Sequence, residues 1–201
     1  MSEHYFSNSP QSQSRPFHFQ TTINQVDLTF HTDDGVFSKK QIDYGTRVLL
    51  GQFVMPSVSG DVLDVGCGYG PIGIAVAKQF PEHHIDMVDV NERAVQLAKH
   101  NASENQVSQT DVFVNDRLDN LSNNHYAAVI TNPPFRAGKS VVLSIIENSY
   151  KCLKRQGELW LVVQKKQGAP SLKTKMEEVF RHVEVVKRDK GYYVLKSIKI
   201  D

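Results

Sequence analysis

Residues 63–73 read Leu63-Asp64-Val65-Gly66-Cys67-Gly68-Tyr69-Gly70-Pro71-Ile72-Gly73, and this segment decides the fold. Its glycines at 66, 68 and 70 let the backbone turn tightly and approach a ligand closely. An apolar run precedes them and a predicted helix follows, so the free N–H groups of the helix N-terminus point into the same space. The pattern is typical of a loop that binds a nucleotide-like cofactor. The alternative is a tight strand-to-helix turn that binds nothing.

The dinucleotide fingerprint G-x-G-x-x-G fits this loop incompletely. In the register that starts at Gly66, Pro71 occupies the position of the third glycine. The register that starts at Gly68 fits through Gly73, but it begins late in the loop. The loop alone therefore gives weak support to NAD and leaves the identity of the cofactor open.

Strands alternate with helices on the C-terminal side of this loop. Val- and Ile-rich apolar runs and helical segments follow one another as far as residue 180. This order predicts right-handed crossovers and a mostly parallel sheet with helices on both faces. The last two predicted strands, 183–188 and 192–198, are joined by a short turn and must be antiparallel to each other. The fold class is therefore α/β and Rossmann-like.

The N-terminal part of the chain has a different pattern. Residues 1–16 are rich in Ser, Asn, Gln and Pro, and they predict a flexible arm. Alternating residues over 17–24 and 26–32 predict a hairpin that turns at Asn24-Gln25, and 44–53 predicts a helix. We expect a single domain over 17–201, with the hairpin and helix in 17–57 and the core in 58–201.

Composition and charge narrow the class of protein. The 201 residues carry 23 basic and 22 acidic side chains, a net charge of +1. This sum hides an asymmetry, because residues 1–135 hold 8 basic and 15 acidic residues whereas 136–201 hold 15 and 7. The 2 cysteines have no metal-ligand spacing, and neither an apolar span nor a secretory signal is visible. We expect a cytoplasmic protein without a metal, and the oligomeric state stays open.

Acidic residues follow two of the predicted strands. Asp89 ends the second predicted strand of the core, about 20 residues past the loop, where a carboxylate can accept hydrogen bonds from both hydroxyls of a ribose. The alternative role for Asp89 is to cap the helix that starts near Glu92. Asp116, after the next strand, could accept a hydrogen bond from an adenine amine.

The predicted strand that ends at Thr131 is followed by Asn132-Pro133-Pro134-Phe135. Two prolines fix the backbone and remove two N–H donors, which leaves carbonyl groups as acceptors. The side-chain oxygen of Asn132 is a further acceptor, and Phe135 offers a flat face on which a base can stack, worth about 1–3 kcal/mol. The constellation suits a planar group that bears an NH₂, and the alternative is an ordinary Pro-Pro turn. Ligands in such folds bind outside the carboxyl ends of the strands, where this motif lies.

Taken together, the glycine loop, Asp89 and residues 132–135 resemble the class I S-adenosylmethionine-dependent methyltransferases that act on exocyclic amines. Residues 35–38 (GVFS), 43–46 (DYGT) and 132–139 narrow the resemblance to the small-domain group typified by ribosomal RNA guanine-N2 methyltransferases. The resemblance covers nearly the whole chain from about residue 17. It implies a seven-stranded sheet with an antiparallel final hairpin.

The resemblance also implies the site residues. The catalytic motif would be Asn132, Pro133, Pro134 and Phe135, with Asn132 orienting the target amine. The residues implied for the S-adenosylmethionine site are Asp64, Gly66, Gly68, Gly70, Asp89, Val90, Asp116, Asn132, Phe37 and Thr46. The better-known ribosomal enzymes carry a second, N-terminal methyltransferase-like domain, for which we expect no room in this chain. Their target nucleotide is therefore not carried over, and guanine N2 of ribosomal RNA is the expected class of target.

Basic residues follow the strand ends that bear these motifs. In a parallel sheet the residues after two neighbouring strands lie on the same rim as the site, where cations would contact the phosphates of RNA around a splayed-out base. The alternative is a solvated surface. The residues predicted to bind substrate in this way are Arg136, Lys139, Lys165, Lys166, Lys39 and Lys40.

The amine itself would be the nucleophile, so no strong base is required before attack. Methylation of a pyrimidine carbon would instead require a cysteine, and residues 132–139 contain none. Three alternatives to an RNA N-methyltransferase stay open. They are methylation of a protein glutamine or a DNA adenine, an NAD-dependent oxidoreductase, and a non-catalytic RNA-binding module.

Overall fold

We analysed a computed structural model that describes residues 15–118 and 120–201. The predicted flexible arm, 1–16, falls almost entirely outside the described residues. Nine strands and five α-helices follow in chain order: β1 (Phe17–Ile23), β2 (Val26–Thr32), α1 (Tyr44–Leu50), β3 (Asp61–Val65), α2 (Pro71–Gln79), β4 (Ile85–Asp89), α3 (Glu92–Glu104), β5 (Thr110–Val114), β6 (Tyr126–Thr131), α4 (Lys139–Cys152), β7 (Leu153–Gln164), α5 (Ala169–Phe180), β8 (Glu184–Asp189) and β9 (Tyr192–Ile198).

Seven strands form one sheet in the order β5-β4-β3-β6-β7-β9-β8. Strand β3 pairs in parallel with β4 on one side and with β6 on the other, and β9 is antiparallel to both of its neighbours. Strands β1 and β2 form a separate antiparallel hairpin that turns at Asn24 and Gln25, both with positive φ. The predicted Rossmann-like sheet with an antiparallel last hairpin is confirmed.

Two apolar layers cover the two faces of the sheet. Helices α1, α2 and α3, together with the β1–β2 hairpin, pack on one face around Leu49, Ile74 and Val95. Helices α4 and α5 pack on the other face around Ile146 and Leu172. All six residues of β6 are buried, as expected for a central strand covered on both sides.

Two element boundaries differ from the sequence-based prediction. Helix α1 ends at Leu50 and not at Phe53, because the chain then tightens into a turn in which the N–H of Gln52 donates to the carbonyl of Leu49 at 3.0 Å. The apolar run predicts a strand over 157–163, whereas strand β7 begins at Leu153, which pairs with Tyr126 before a register shift. No helix of the described part of the chain is both long and apolar enough to cross a membrane.

Two asparagines, Asn101 of α3 and its C-cap Asn105, attach the N-terminal hairpin to the end of this helix. Buried Asn101 accepts from the N–H of His31 at 2.8 Å and donates to the carbonyls of His31 (2.9 Å) and Tyr69 (2.8 Å). One turn later, Asn105 exchanges two hydrogen bonds with the backbone of Thr29. The amide side chains therefore act toward β2 as a neighbouring strand would.

Replacement of Asn101 by alanine should destabilise the fold. The change leaves three backbone groups without their partner, and each buried polar group left unpaired costs about 1–3 kcal/mol. We expect urea denaturation to show a loss of about 3 kcal/mol in the free energy of unfolding. The exposed Gln96 on the same helix supplies the control, because Gln96→Ala should change stability by less than about 0.5 kcal/mol. Equal stabilities of the two variants would refute this role of Asn101.

Candidate active site

The glycine loop between β3 and α2 is tied to the end of β4. The N–H groups of Gly66 and Cys67 both donate to the carbonyl of Val88, each at 2.9 Å. The N–H of Gly68 donates to Asp89 Oδ2 at 2.8 Å. Gly66, Gly68 and Gly70 adopt φ values of +69°, +57° and +93°, which disfavour any residue with a Cβ. The alternating glycines are therefore required by the backbone path of this loop.

Asp89 lies at the carboxyl end of β4 and faces the cavity. Its Oδ1 accepts from the N–H of Asn91 at 2.9 Å, while Oδ2 holds Gly68. A carboxylate oxygen can accept a second hydrogen bond, so both oxygens keep acceptor capacity. The cap of α3 is Asn91, whose Oδ1 accepts from Arg93 and Ala94. Burial raises the pKa of Asp89, and the backbone N–H donors oppose this effect.

Asp64 is fully buried behind the loop and does not line the cavity. Its Oδ2 accepts from the N–H of Gly73 in α2 at 2.8 Å. No described residue provides a partner for its Oδ1. Burial raises the pKa of Asp64 to about 7, and the negative charge of Asp89 adds to the effect.

Asn132 follows the last residue of β6, and its side-chain amide is held by α1. Its Nδ2 donates to Asp43 Oδ2 at 3.1 Å and to Thr46 Oγ1 at 3.0 Å. The carbonyls of Pro133 and Pro134, predicted as acceptors for a ligand, already accept backbone N–H groups at 2.9 Å. The side-chain oxygen of Asn132 therefore becomes the more available acceptor of this motif.

These elements enclose a cavity of about 840 Å³ at the carboxyl edge of the parallel strands. Thirteen predicted site residues line it: Phe37, Thr46, Gly66, Gly68, Asp89, Val90, Asp116, Asn132, Pro133, Pro134, Phe135, Arg136 and Lys166. Six others do not: Asp64, Gly70, Lys39, Lys40, Lys139 and Lys165. The side chain of Lys39 is paired with Asp34.

The cavity lining also contains residues that the sequence patterns do not predict, among them Gln164, Tyr192 and Asp43. Gln164 ends β7 and pairs with Tyr192 at the start of β9, so the antiparallel hairpin returns Tyr192 to the same rim. The alternation of residues in the last predicted strand indicates only a sheet-packing role for Tyr192. Asp43 was part of the motif DYGT, but its contact with Asn132 joins residues 89 positions apart. The antiparallel turn could have indicated Tyr192, whereas no local signal could have indicated the contact of Asp43.

Cys67 lines the cavity as a buried thiol. Burial raises its pKa well above the ordinary value, and the carboxylates of Asp89 and Asp64 act in the same direction. A thiol that stays protonated is a poor nucleophile. Covalent attack by this cysteine on a substrate carbon is therefore disfavoured.

The glycine loop and Asp89 fit a cofactor that contains a nucleoside. A Cβ added to Gly68 would meet no atom within 4 Å, so the backbone here faces open space. The carboxylate of Asp89 offers adjacent acceptors that match a pair of ribose hydroxyls. Asn115 and Asp116 border the same end of the cavity. Arg117, which pairs with Asp116, also lines the cavity.

Comparison with known proteins agrees with this geometry. The model of the family described as methyltransferase small domain matches residues 27–196. The chain is 48% identical to the uncharacterized protein YbxB of Bacillus subtilis (strain 168), over all of both chains. It is 30% identical to ribosomal RNA small subunit methyltransferase C of Colwellia psychrerythraea, over 89% of this chain and 50% of that protein. The chain therefore spans half the length of the ribosomal RNA methyltransferase.

A solved structure supports the fold. The T. thermophilus 16S rRNA N2 methyltransferase RsmC, in complex with AdoMet and guanosine, superposes with a TM-score of 0.80 at 24% identity. The superposition covers 94% of this chain and 52% of the T. thermophilus chain. At this identity the likeness establishes a shared fold.

The burial of Asp64 predicts a measurable pH dependence of stability. Its pKa of about 7 in the folded state exceeds the ordinary aspartate pKa of 3.8, so between these values the folded state binds more protons than the unfolded state. The stabilisation by this group is full below about pH 4 and declines as pH rises to about 7. Relative to Asp64→Asn, the wild type should lose about 3 kcal/mol between about pH 5 and pH 8.

Urea denaturation of both proteins over this pH range measures the difference. A cost of the introduced asparagine amide that is the same at every pH does not affect the change of this difference with pH. A difference that does not change with pH would contradict a raised pKa of Asp64.

Proposed function

The chain belongs to the methyltransferase small domain family, and on that premise we propose that it methylates an exocyclic amine of ribosomal RNA, specifically N2 of a guanine. The family match confirms the predicted enzyme class and disfavours an NAD-dependent oxidoreductase and a non-catalytic RNA-binding module. S-adenosylmethionine is the methyl donor of this class.

One observation carries the choice of an amine as the target. The amide of Asn132 uses its nitrogen to bind α1, and no described residue donates to its oxygen, Oδ1. Asn132 lines the same cavity as the glycine loop and Phe135. An acceptor in this position can bind one N–H of a planar NH₂ group while the ring stacks against Phe135.

When bound, S-adenosylmethionine would supply a methyl group on a sulfonium. Transfer to the amine would form a carbon–nitrogen bond, break the carbon–sulfur bond and release S-adenosylhomocysteine and one proton. The glycine loop and Asp89 would hold the nucleoside of this cofactor at one end of the cavity. Asn132, which follows the neighbouring strand β6, would hold the amine. The chain therefore contributes orientation, and orientation alone can account for a large part of such a rate enhancement.

Charge at the rim supports RNA as the substrate. Arg136 follows β6, Lys166 follows β7, and both exposed cations line the cavity on the side of Asn132. Cations at the mouth of a cavity favour a polyanion over a protein amide. The names of the C. psychrerythraea and T. thermophilus relatives point to ribosomal RNA, and that of the T. thermophilus protein to guanine N2. A protein glutamine and a DNA adenine are the alternative substrates.

The purified protein should transfer labelled methyl groups to ribosomal RNA from a strain that lacks it, and digestion should yield N2-methylguanosine. Asn132→Ala should lower transfer at least about 100-fold, because the amine loses its positioning acceptor. The variant should still bind S-adenosylmethionine, which a thermal shift with the cofactor can measure.

Protein and DNA from the same strain serve as competing substrates in this assay. Label found in protein glutamine or in DNA adenine, and not in RNA, would identify that molecule as the target and refute RNA. Full activity of Asn132→Ala would refute the role of Asn132, whatever the substrate.

Arg136→Ala and Lys166→Ala should weaken binding of ribosomal RNA and flatten its salt dependence. Each phosphate contact contributes about one unit to the slope of log K against log salt concentration. The measurement is a filter-binding or fluorescence titration at several salt concentrations.

Lys99→Ala is the matched control, because Lys99 is an exposed cation of α3 that does not line this cavity. Its slope should equal that of the wild type. Unchanged slopes for Arg136→Ala and Lys166→Ala would remove both residues from the RNA-binding surface.

A further inference from the structure

We propose that Asp43 and Thr46 are positioning residues that fix the side-chain amide of Asn132 with its oxygen toward the substrate amine. The inference deepens the proposed function and rests on it for the identity of the substrate. The family resemblance implies that Thr46 belongs to the S-adenosylmethionine site, and it implies no separate role for Asp43. The contacts of Asn132 instead associate both residues with the group that binds the target amine.

The three side chains come from two distant parts of the chain. Asp43 caps the N-terminus of α1, and Thr46 lies in its first turn with 3% of its surface exposed. Both reach the same nitrogen of Asn132, at 3.1 Å and 3.0 Å. The two N–H bonds of that amide are thereby both used. All three residues line the cavity.

The chemistry of Asp43 decides which way the amide points. An ionised carboxylate can accept hydrogen bonds but cannot donate one, so only the NH₂ group of Asn132 can face it. The hydroxyl of Thr46 can accept the second N–H in the same arrangement. The reversed amide would bring two oxygen acceptors together and would turn its NH₂ toward the N–H groups of the substrate. The negative charge of Asp43 therefore sets the orientation of the Asn132 side-chain oxygen, which is the acceptor for the substrate amine.

The packing around Gly45 keeps Asp43 and Thr46 close to Asn132. A Cβ at Gly45 would lie 2.7 Å from the ring of Tyr192 and 3.0 Å from Asp43 Oδ2. Asp43 Oδ2 also accepts from the N–H of Thr46 at 3.3 Å. The start of α1 is thus pressed against β9, and Asp43 has little freedom to leave Asn132.

Thr46→Val and Thr46→Ser form a matched pair for the test. Valine keeps the shape of threonine but removes the hydroxyl, whereas serine keeps the hydroxyl. We expect Thr46→Val to lower kcat for methyl transfer about 10- to 100-fold, with KM for S-adenosylmethionine within about twofold of the wild type. Thr46→Ser should restore most of kcat. Asp43→Ser keeps a residue that caps helices well but cannot reach Asn132, and it should lower kcat similarly.

A spectroscopic readout tests the contact independently of the substrate. The side-chain NH₂ of Asn132 gives a pair of signals in a ¹⁵N-resolved NMR spectrum, assigned by their loss in Asn132→Ala. Thr46→Val and Asp43→Ser should shift these signals and speed their exchange with water, and Thr46→Ser should not. Thermal midpoints of the variants establish that each is folded.

The outcomes separate this inference from the proposed function. Unshifted Asn132 signals in both Thr46→Val and Asp43→Ser would overturn the inference even if ribosomal RNA is methylated. A loss of kcat without the change in these signals would also overturn it. If the wild type methylates no RNA, the proposed function fails, while shifted and rapidly exchanging signals would still support the positioning of Asn132.

Discussion

The site depends on the parallel pairing of β3 with β4 on one side and β6 on the other. Parallel strands end at the same edge, so this arrangement places the glycine loop, Asp89 and Asn132 side by side. Thr131 strengthens the junction by donating from its hydroxyl to the carbonyl of Val65 at 2.8 Å. A one-residue slip between β3 and β6 would move Asn132 to the opposite face of the sheet and separate it from the loop.

The segment 33–46 couples the two halves of the cavity. Its first part is held from the cofactor side, because Asn91 donates to the carbonyl of Gly35 and Arg93 to the carbonyl of Asp34. Its last part supplies Asp43 and Thr46 to Asn132. The same segment therefore contacts the elements proposed for the cofactor and those proposed for the target amine. The β1–β2 hairpin that precedes this segment contributes no residue to the lining of the cavity, and it is connected to the site through residues 33–46.

Patterns of local spacing predicted the fold well. Alternation of apolar runs and helices is a local signal, and it located the strands of the sheet to within a few residues. The glycine loop and the Asn132–Phe135 motif were also visible, since strand ends mark the cavity edge. Tyr192 and Asp43 were not, because their positions depend on strand pairing and helix packing between distant residues. The bounds of α1 and β7 failed for a similar reason, since hydrogen bonds at element ends decide them.

The net charge of the chain likewise gives little information about which charged residues lie near one another in the fold. The excess of basic residues after position 135 suggested a basic face, yet several of these cations are paired within the fold, as Lys175 is with Glu147 and Lys196 with Glu184. Arg136 and Lys166 differ because each follows a strand that ends at the cavity. Screening confines the influence of an exposed charge to about 8–10 Å at physiological salt. Two cations that line the cavity can therefore act on a phosphate there, although distant carboxylates bring the net charge of the whole chain to +1. The nearly neutral net charge of the chain is thus no argument against a nucleic-acid substrate.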